Sequence, residues 1–292
     1  MAQSQETQTP VETVEQNPHS AEQVALALKD AHEFLYKVSE DDEFQLECMD
    51  KNVDPDNDMN RPIYWDIFAR RSQQLIRESR ELNGDSLELR AKELLAVTPI
   101  VMFEAAALHS DKPRSSEANK RSKLAVCYYN DLIRNFALAE PATRPSDIER
   151  AINGVSNGAL EHPGMRQFAA QEIKGRITGV QGELGFRQIL SHTSHRFRPA
   201  TPEEDLHGAD VVITDEGKQP LYIDLKASLH EIPNAHDGKR PYKRISVDHI
   251  MMYGYGNVEK DFGDSFFMPD ELAAARAEKI DGILLVAQKP AA

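Results

Sequence analysis

Two adjacent apolar segments in the C-terminal half constrain the fold more than any other part of the chain. Residues 208–214 and 221–226 are rich in β-branched and aliphatic side chains, which predicts two strands, and each segment carries an aspartate, Asp210 or Asp224. Gly217 lies midway between the two aspartates, so a hairpin that turns around this glycine places them opposite each other. Opposed side chains in an antiparallel pair have Cβ atoms about 4.5–5.5 Å apart, and like charges there repel. We therefore expect a cation between the two carboxylates.

A lysine completes this predicted site. Lys226 lies two residues beyond Asp224, so both side chains belong to the same face of the strand. An acid-x-Lys triplet has little weight alone, and the chain contains four of them: Glu172-Ile173-Lys174, Glu216-Gly217-Lys218, Asp224-Leu225-Lys226 and Asp237-Gly238-Lys239. The triplet at 224 is the one that lies in a predicted strand with a second aspartate opposite. Two acids and a lysine around a divalent ion form a common arrangement for cutting a phosphodiester.

The charge is distributed unevenly along the 292 residues. The net charge is −14, but residues 1–60 hold 15 acids and 3 lysines, and the remaining residues hold 31 basic and 33 acidic groups. We predict a disordered acidic tail over residues 1–20, a helical domain over 21–160 and a second domain over 161–292. The sequence shows no secretory signal, no apolar run near the ~20 residues of a membrane helix, and no cysteine framework, so we expect a cytoplasmic protein without membrane contact.

Apolar periodicity gives the secondary structure within these domains. It predicts helices over 21–38, 63–82, 87–108 with a kink or break at Pro99, 120–138, 146–155, 165–190 and 270–279. Residues 39–58 read as an acidic loop, and residues 246–256 are ambiguous. A short strand near Phe197, the hairpin and a buried final strand over 282–287 complete the expected fold. The fold class is α+β or α/β, with a helical N-terminal domain before a mixed-sheet core flanked by helices.

The predicted helix over 165–190 contributes a third acid. Arg176, Glu183 and Arg187 are spaced by seven and four residues, so they share one helical face. Glycines recur at every third residue from Gly179 to Gly185, which a helix tolerates when it must approach another backbone closely. Taken alone, Glu183 is most simply interpreted as a surface partner of Arg187.

Together, these segments resemble the PD-(D/E)xK nuclease superfamily, the fold of many restriction endonucleases and resolvases. The resemblance covers about residues 165–290 and rests on Gly182-Glu183, Gly208-Ala209-Asp210 and Asp224-Leu225-Lys226, in that order. The chain has aspartate rather than glutamate at 224 and Ala209 rather than proline before the first aspartate. Both variants occur in the superfamily.

The resemblance implies a metal-dependent nuclease, above all a Mg²⁺-dependent DNA endonuclease of restriction, defence or recombination type. Asp210 and Asp224 would hold Mg²⁺, which Mn²⁺ would replace, and the carbonyl of Leu225 would add a ligand. Glu183 would bind the ion directly or through water. Lys226 would orient the attacking water or stabilise the charge of the transition state.

Basic residues near this site are candidates for nucleic-acid contacts. These are Arg176, Arg187, Lys239, Arg240, Lys243 and Arg244. For the segment over 239–244, a solvated surface loop explains the charge equally well. The sequence does not distinguish DNA from RNA as the partner.

The remaining expectations concern partners and the competing function. A homodimer would give paired cuts in a duplex, and a protein partner would bind the helical half or the acidic N-terminus. A different class of function is a catalytically inactive nuclease-like fold that binds nucleic acid or assembles with protein. A third hypothesis is a regulated nuclease, in which residues 1–58 cover the basic channel.

Overall fold

The computed structural model describes residues 19–54, 61–108, 115–159, 163–206, 208–226, 250–254 and 258–287. The helices are α1 (Ala21–Ser39), α2 (Asp42–Asp50), α3 (Arg61–Asn83), α4 (Leu87–Ala96), α5 (Thr98–Leu108), α6 (Ser116–Ala139), α7 (Pro145–Ala159), α8 (Pro163–Ser191), α9 (Pro202–Leu206), α10 (Val258–Phe262) and α11 (Asp270–Ala287). The strands are β1 (Phe197–Pro199), β2 (Val211–Ile213), β3 (Leu221–Lys226) and β4 (Ile250–Gly254). The α+β class is therefore confirmed at this level. Within these ranges, no helix is long and apolar enough to cross a membrane.

The first seven helices bury one apolar core, and the helices predicted from periodicity are confirmed. Helix α1 begins with a capping box, in which the Ser20 hydroxyl accepts from the Gln23 N–H and the Gln23 side chain accepts from the Ser20 N–H. The predicted break at Pro99 is also confirmed, because α4 ends at Ala96 and α5 starts at Thr98. Proline is tolerated there, in the first turn of a helix, where its missing N–H leaves no intrahelical bond unmade.

The expected acidic loop over 39–58 is wrong for residues 42–50, which form α2. The Asp41 carboxylate accepts from the Phe44 N–H and caps this helix. Phe44 and Cys48 are four residues apart, so both lie on one face and are buried. The Phe44 ring packs edge-on against Tyr64, with centroids 5.2 Å apart. The many acidic residues of this segment make the short apolar stripe difficult to recognise in the sequence.

The four described strands form one mixed sheet in the order β1-β2-β3-β4. β1 pairs antiparallel with β2, β2 pairs antiparallel with β3, and β4 lies parallel to β3. The hairpin predicted around Gly217 is confirmed: Val211 pairs with Ile223, and Gly217 has φ +71°, a conformation that glycine adopts without strain. The ambiguous residues 246–256 contain β4.

Helix α8 connects the bundle to the sheet because its two ends pack into different cores. Its N-terminal part packs into the bundle core through Ile173, Ile177, Val180 and Leu184. Its C-terminal part lies in the core of the sheet, through Phe186, Ile189 and Leu190. A residue in the middle of α8, such as Glu183, therefore lies at the junction of the helical half and the sheet.

The predicted final strand over 282–287 is wrong, since these residues continue α11. Ala273, Ala277, Ile280 and Leu284 are buried against the sheet core at helical spacing, whereas Ile283 is about half exposed (51%). A short apolar run satisfies both a strand and a helix pattern, and here the stripe that starts at Ala273 carries the helix through it.

Candidate functional site

A short capped helix sets the approach to β2. At the start of α9, the Thr201 N–H donates to Glu204 Oε2 at 2.7 Å, and the Glu204 N–H donates to Thr201 Oγ1 at 3.3 Å. At its end, the Gly208 N–H donates to the Asp205 carbonyl and the Ala209 N–H donates to the Glu204 carbonyl, both within 3.0 Å. These two bonds, with φ +93° at Gly208, form a Schellman motif. Asp205 is therefore fixed just before β2, and Asp210 follows the turn directly.

Asp210 and Asp224 lie side by side where β2 and β3 meet. Val211 and Ile223 are the last pair of the β2–β3 ladder. Asp210 directly precedes Val211, and Asp224 directly follows Ile223. The Asp210 N–H donates to the Ile223 carbonyl at 2.8 Å, and Asp210 Oδ2 accepts from the Leu225 N–H at 2.6 Å. Asp224 is 2% exposed, whereas Asp210 keeps some contact with solvent. The proximity predicted from the position of Gly217 is confirmed.

Glu183 is held between two arginines. Arg134 of α6 donates to Glu183 Oε2 through Nε at 3.0 Å and through Nη2 at 2.5 Å. Arg187 of α8 donates to Glu183 Oε1. The Glu183 side chain is 9% exposed, so this is a buried ion triad and not the surface pair that Glu183 and Arg187 alone indicated.

Helix α6 brings further polar groups to the same place. Arg134 also pairs through Nη1 with Asp131, one turn earlier on α6. The Cys127 thiol, on the same helix, lies near Asp205, and burial together with the charge of this carboxyl raises the pKa of the thiol to about 12. The candidate site is therefore formed by α6, α8, α9, β2 and β3, and the helical half supplies part of it.

Glu183, Asp205, Asp210 and Asp224, which we call the acid cluster, act on one another electrostatically. Burial raises the pKa of Asp210 to about 8; the Leu225 N–H opposes this shift, and the other three carboxylates add to it. Burial also raises the pKa of Glu183 despite the two arginines, and it raises the pKa of Asp205. At Asp210 the neighbouring carboxylates thus add to the effect of burial, which is the larger cause of the raised pKa.

The donor chemistry of part of the cluster suits Mg²⁺. This ion takes oxygen ligands, and one or two carboxylates completed by water are usual. Asp210, Asp224 and the Leu225 carbonyl would supply such a set. Among the described residues, however, no three His, Cys, Asp or Glu side chains form a group arranged to hold a metal ion. Both oxygens of Glu183 are bound by arginine, so this residue would have to release one to become a ligand.

For most of the other predicted site residues, the structure does not describe the side chain. The backbone of Lys226 ends β3, but its side chain lies outside what the structure describes, as do Lys239, Arg240, Lys243 and Arg244. The Arg176 side chain is 11% exposed and pairs with Glu172 on its own helix. Arg187 faces Glu183. Neither arginine is therefore presented to solvent in this arrangement.

Arg134, Asp131, Cys127 and Asp205 were missed from the sequence. The capping box Thr201-Pro202-Glu203-Glu204 is a local signal for α9, and it would have placed Asp205 at the end of a short helix. No local signal connects α6 to α8 or α9, because these contacts join residues about 50 positions or more apart along the chain.

Comparison with known proteins gives no match: no family model, no curated protein and no solved structure matches the chain. The site itself is therefore the basis for a function.

Proposed function

We propose that the chain is a Mg²⁺-dependent nuclease that hydrolyses phosphodiester bonds, with DNA as the substrate and endonucleolytic cleavage as the reaction. The observation that carries the proposal is the pairing of Asp210 and Asp224 at the open end of the β2–β3 hairpin, where Asp210 accepts from the Leu225 N–H. The mixed sheet, with β4 parallel to β3 and α8 leading into it, supports the same proposal. So does the electrostatic effect of Glu183 on Asp210.

The chain's own groups have distinct roles in this proposal. Asp210, Asp224 and the Leu225 carbonyl would hold the ion, which would supply a water of lowered pKa and neutralise charge on the scissile phosphate. Asp210 would have to lose its proton to hold the ion, because a ligating carboxylate must be ionised. Lys226 orients the attacking water or stabilises the charge of the transition state. Glu183 supports the site from α8.

The test is cleavage of supercoiled plasmid with Mg²⁺ or Mn²⁺, by the wild type and by Asp224→Asn. We expect metal-dependent nicking that EDTA abolishes, and a loss of about 100-fold or more in Asp224→Asn, because the variant lacks one of the two paired negative ligands. Asp147→Asn is the matched control: Asp147 is also buried (4% exposed) and paired with arginines, but it lies in α7, in the helical bundle. Equal rates for wild type and Asp224→Asn would refute the proposal.

A second candidate function is a nuclease-like fold that binds nucleic acid or protein without cutting. The observation that favours it is the state of Glu183, both of whose oxygens are bound by arginines, so that the acids do not converge on one ion position. Calorimetry with Mn²⁺ separates the two functions. A nuclease binds the ion and loses this binding in Asp210→Asn, whereas the inactive module binds nucleic acid with no dependence on the ion.

A further inference from the structure

The contact between Arg134 and Glu183 joins the helical half to the acid cluster. Arg134 is 14% exposed and directs two of its nitrogens to the same oxygen, Glu183 Oε2. Its third nitrogen pairs with Asp131, which is 39% exposed. One guanidinium therefore holds one carboxylate in the acid cluster and one outside it.

This ion pair is not needed to hold α6 against α8. The two helices already share the bundle core through buried apolar side chains: Tyr129, Ile133 and Phe136 on α6, and Ile173, Ile177, Val180 and Leu184 on α8. Burying charges costs desolvation energy, and a buried ion pair adds little net stability over apolar packing. A role other than stability therefore fits Arg134 better.

The two arginines that hold Glu183 differ in the carboxylate partners that would remain to each one if it released Glu183. Arg134 retains Asp131 as a partner. Arg187 pairs with Glu183, and its Nε is buried with no hydrogen-bond partner among the described residues. Releasing Arg134 therefore leaves no guanidinium without a carboxylate, while Arg187 continues to hold Glu183 Oε1. Arg134 is the partner that can move away at lower cost.

We propose that Arg134 is a positioning residue that withholds Glu183 from the divalent cation and thereby sets the metal affinity of the site. This inference rests on the proposed function. In the metal-free protein the guanidinium serves as the counter-cation of Glu183. An ion held by Asp210 and Asp224 would draw Glu183 away from Arg134, and Arg134 would keep Asp131 as its partner. The helical half thus regulates metal loading through one side chain.

The experiment measures Mn²⁺ binding by calorimetry, with Arg134→Gln compared with the wild type. We expect the variant to bind Mn²⁺ about fivefold more tightly, because Glu183 Oε2 is freed and one positive charge near the ion is removed. Arg134→Lys keeps the charge but loses the two-nitrogen contact, so its affinity should fall between the two. Glu183→Gln should remove most of the gain that Arg134→Gln produces, as a double-mutant cycle would show.

Arg90→Gln is the matched control. Arg90 is 22% exposed and pairs with Glu140, whose side chain is 1% exposed, so the substitution breaks a similarly buried pair in the helical bundle. It should leave Mn²⁺ affinity unchanged. Urea unfolding checks that each variant is folded, and Arg134→Met, which fills the space without charge, replaces the glutamine variant if the latter does not fold.

The outcomes separate this inference from the proposed function. Unchanged or weaker Mn²⁺ binding in folded Arg134→Gln or Arg134→Met overturns the role of Arg134, while wild-type binding that depends on Asp210 leaves the nuclease proposal standing. An equal gain in Arg90→Gln also overturns it, since the effect would then be general. If neither the wild type nor any variant binds Mn²⁺, the metal site itself is refuted and this inference falls with it.

Discussion

Replacing Asp210 by asparagine should stabilise the metal-free protein at alkaline pH and have almost no effect at pH 4. Asp210 accepts the Leu225 N–H through Oδ2, and an asparagine carbonyl oxygen can accept the same bond. The substitution therefore keeps the shape and the hydrogen bond and removes the ionisable group. What it tests is the energetic cost of a charged carboxylate at this position.

The magnitude follows from the raised pKa of Asp210. Its ordinary pKa is 3.8, and burial and the neighbouring acids raise it to about 8 in the folded protein. Each pH unit of such a shift corresponds to about 1.4 kcal/mol, which gives an upper bound of about 6 kcal/mol. Asp210 keeps some contact with solvent, and local relaxation lowers the cost further. We therefore expect about 2–3 kcal/mol.

The sign follows from proton linkage. The folded protein holds the Asp210 proton more tightly than the unfolded chain does, so this residue costs no stability below about pH 4. The cost appears as pH rises from about 4, and it is complete above about 8, where the carboxylate is charged in both states. The free energy of unfolding of Asp210→Asn minus that of wild type should therefore grow across this window.

Urea unfolding in EDTA at pH 4, 6, 7 and 9 measures this difference. Groups outside the acid cluster titrate equally in both proteins, so they cancel when the two free energies of unfolding are subtracted. A difference that is independent of pH, or a variant less stable than wild type at pH 9, would refute the reasoning. It would show that Asp210 is ionised in the folded protein without the cost assigned to it.

Two further predictions concern the elements that position the site. In α8, a Cβ on Gly185 would overlap the buried Phe262 ring, whereas one on Gly179 would meet nothing within 4 Å. Urea unfolding of Gly185→Ala should therefore give a free energy of unfolding about 1–2 kcal/mol below that of wild type. The matched Gly179→Ala should raise the free energy of unfolding by about 0.5–1 kcal/mol. Equal effects of the two alanines would contradict this packing. The Arg198 side chain, which donates two hydrogen bonds to Glu204 at 2.7 Å, lowers the pKa of Glu204 to about 2. Glu204→Gln should therefore cost about 1–2 kcal/mol at pH 7 and progressively less as pH falls from about 4.5 towards 2, and a cost that did not shrink on acidification would contradict this origin.

The sequence predicts the hairpin because all of its determinants are local. Gly217 supplies the positive φ, the apolar residues on either side supply the strands, and the pairing of Asp210 with Asp224 follows from simple arithmetic on the register. Capping residues and apolar stripes likewise predict the long helices. The same approach predicts the wrong element for residues 282–287, because their run of apolar side chains satisfies both strand and helix patterns.

The rest of the site depends on contacts between distant parts of the chain. Arg134 reaches Glu183 across 49 positions, and Cys127 reaches Asp205 from another helix. An arginine on a helix that also pairs with the aspartate one turn earlier has the pattern of a solvated face. Tertiary packing of α6 against α8 turns that face inward, and no single-sequence pattern carries this information.

The charge balance at the junction supports a cation as the proposed ligand of the site. The acid cluster contains four carboxylates, and the two arginines that reach it within the described part of the chain are both bound to Glu183. Burial and mutual repulsion therefore act on Asp205 and Asp210, and both pKa values rise. Protonation relieves this repulsion in the metal-free protein, and a divalent ion relieves it more completely because it also satisfies several oxygens at once. In the proposed nuclease a proton and a metal ion would compete for the same carboxylates. The stability of the metal-free protein and its metal affinity would then both report the same electrostatic repulsion.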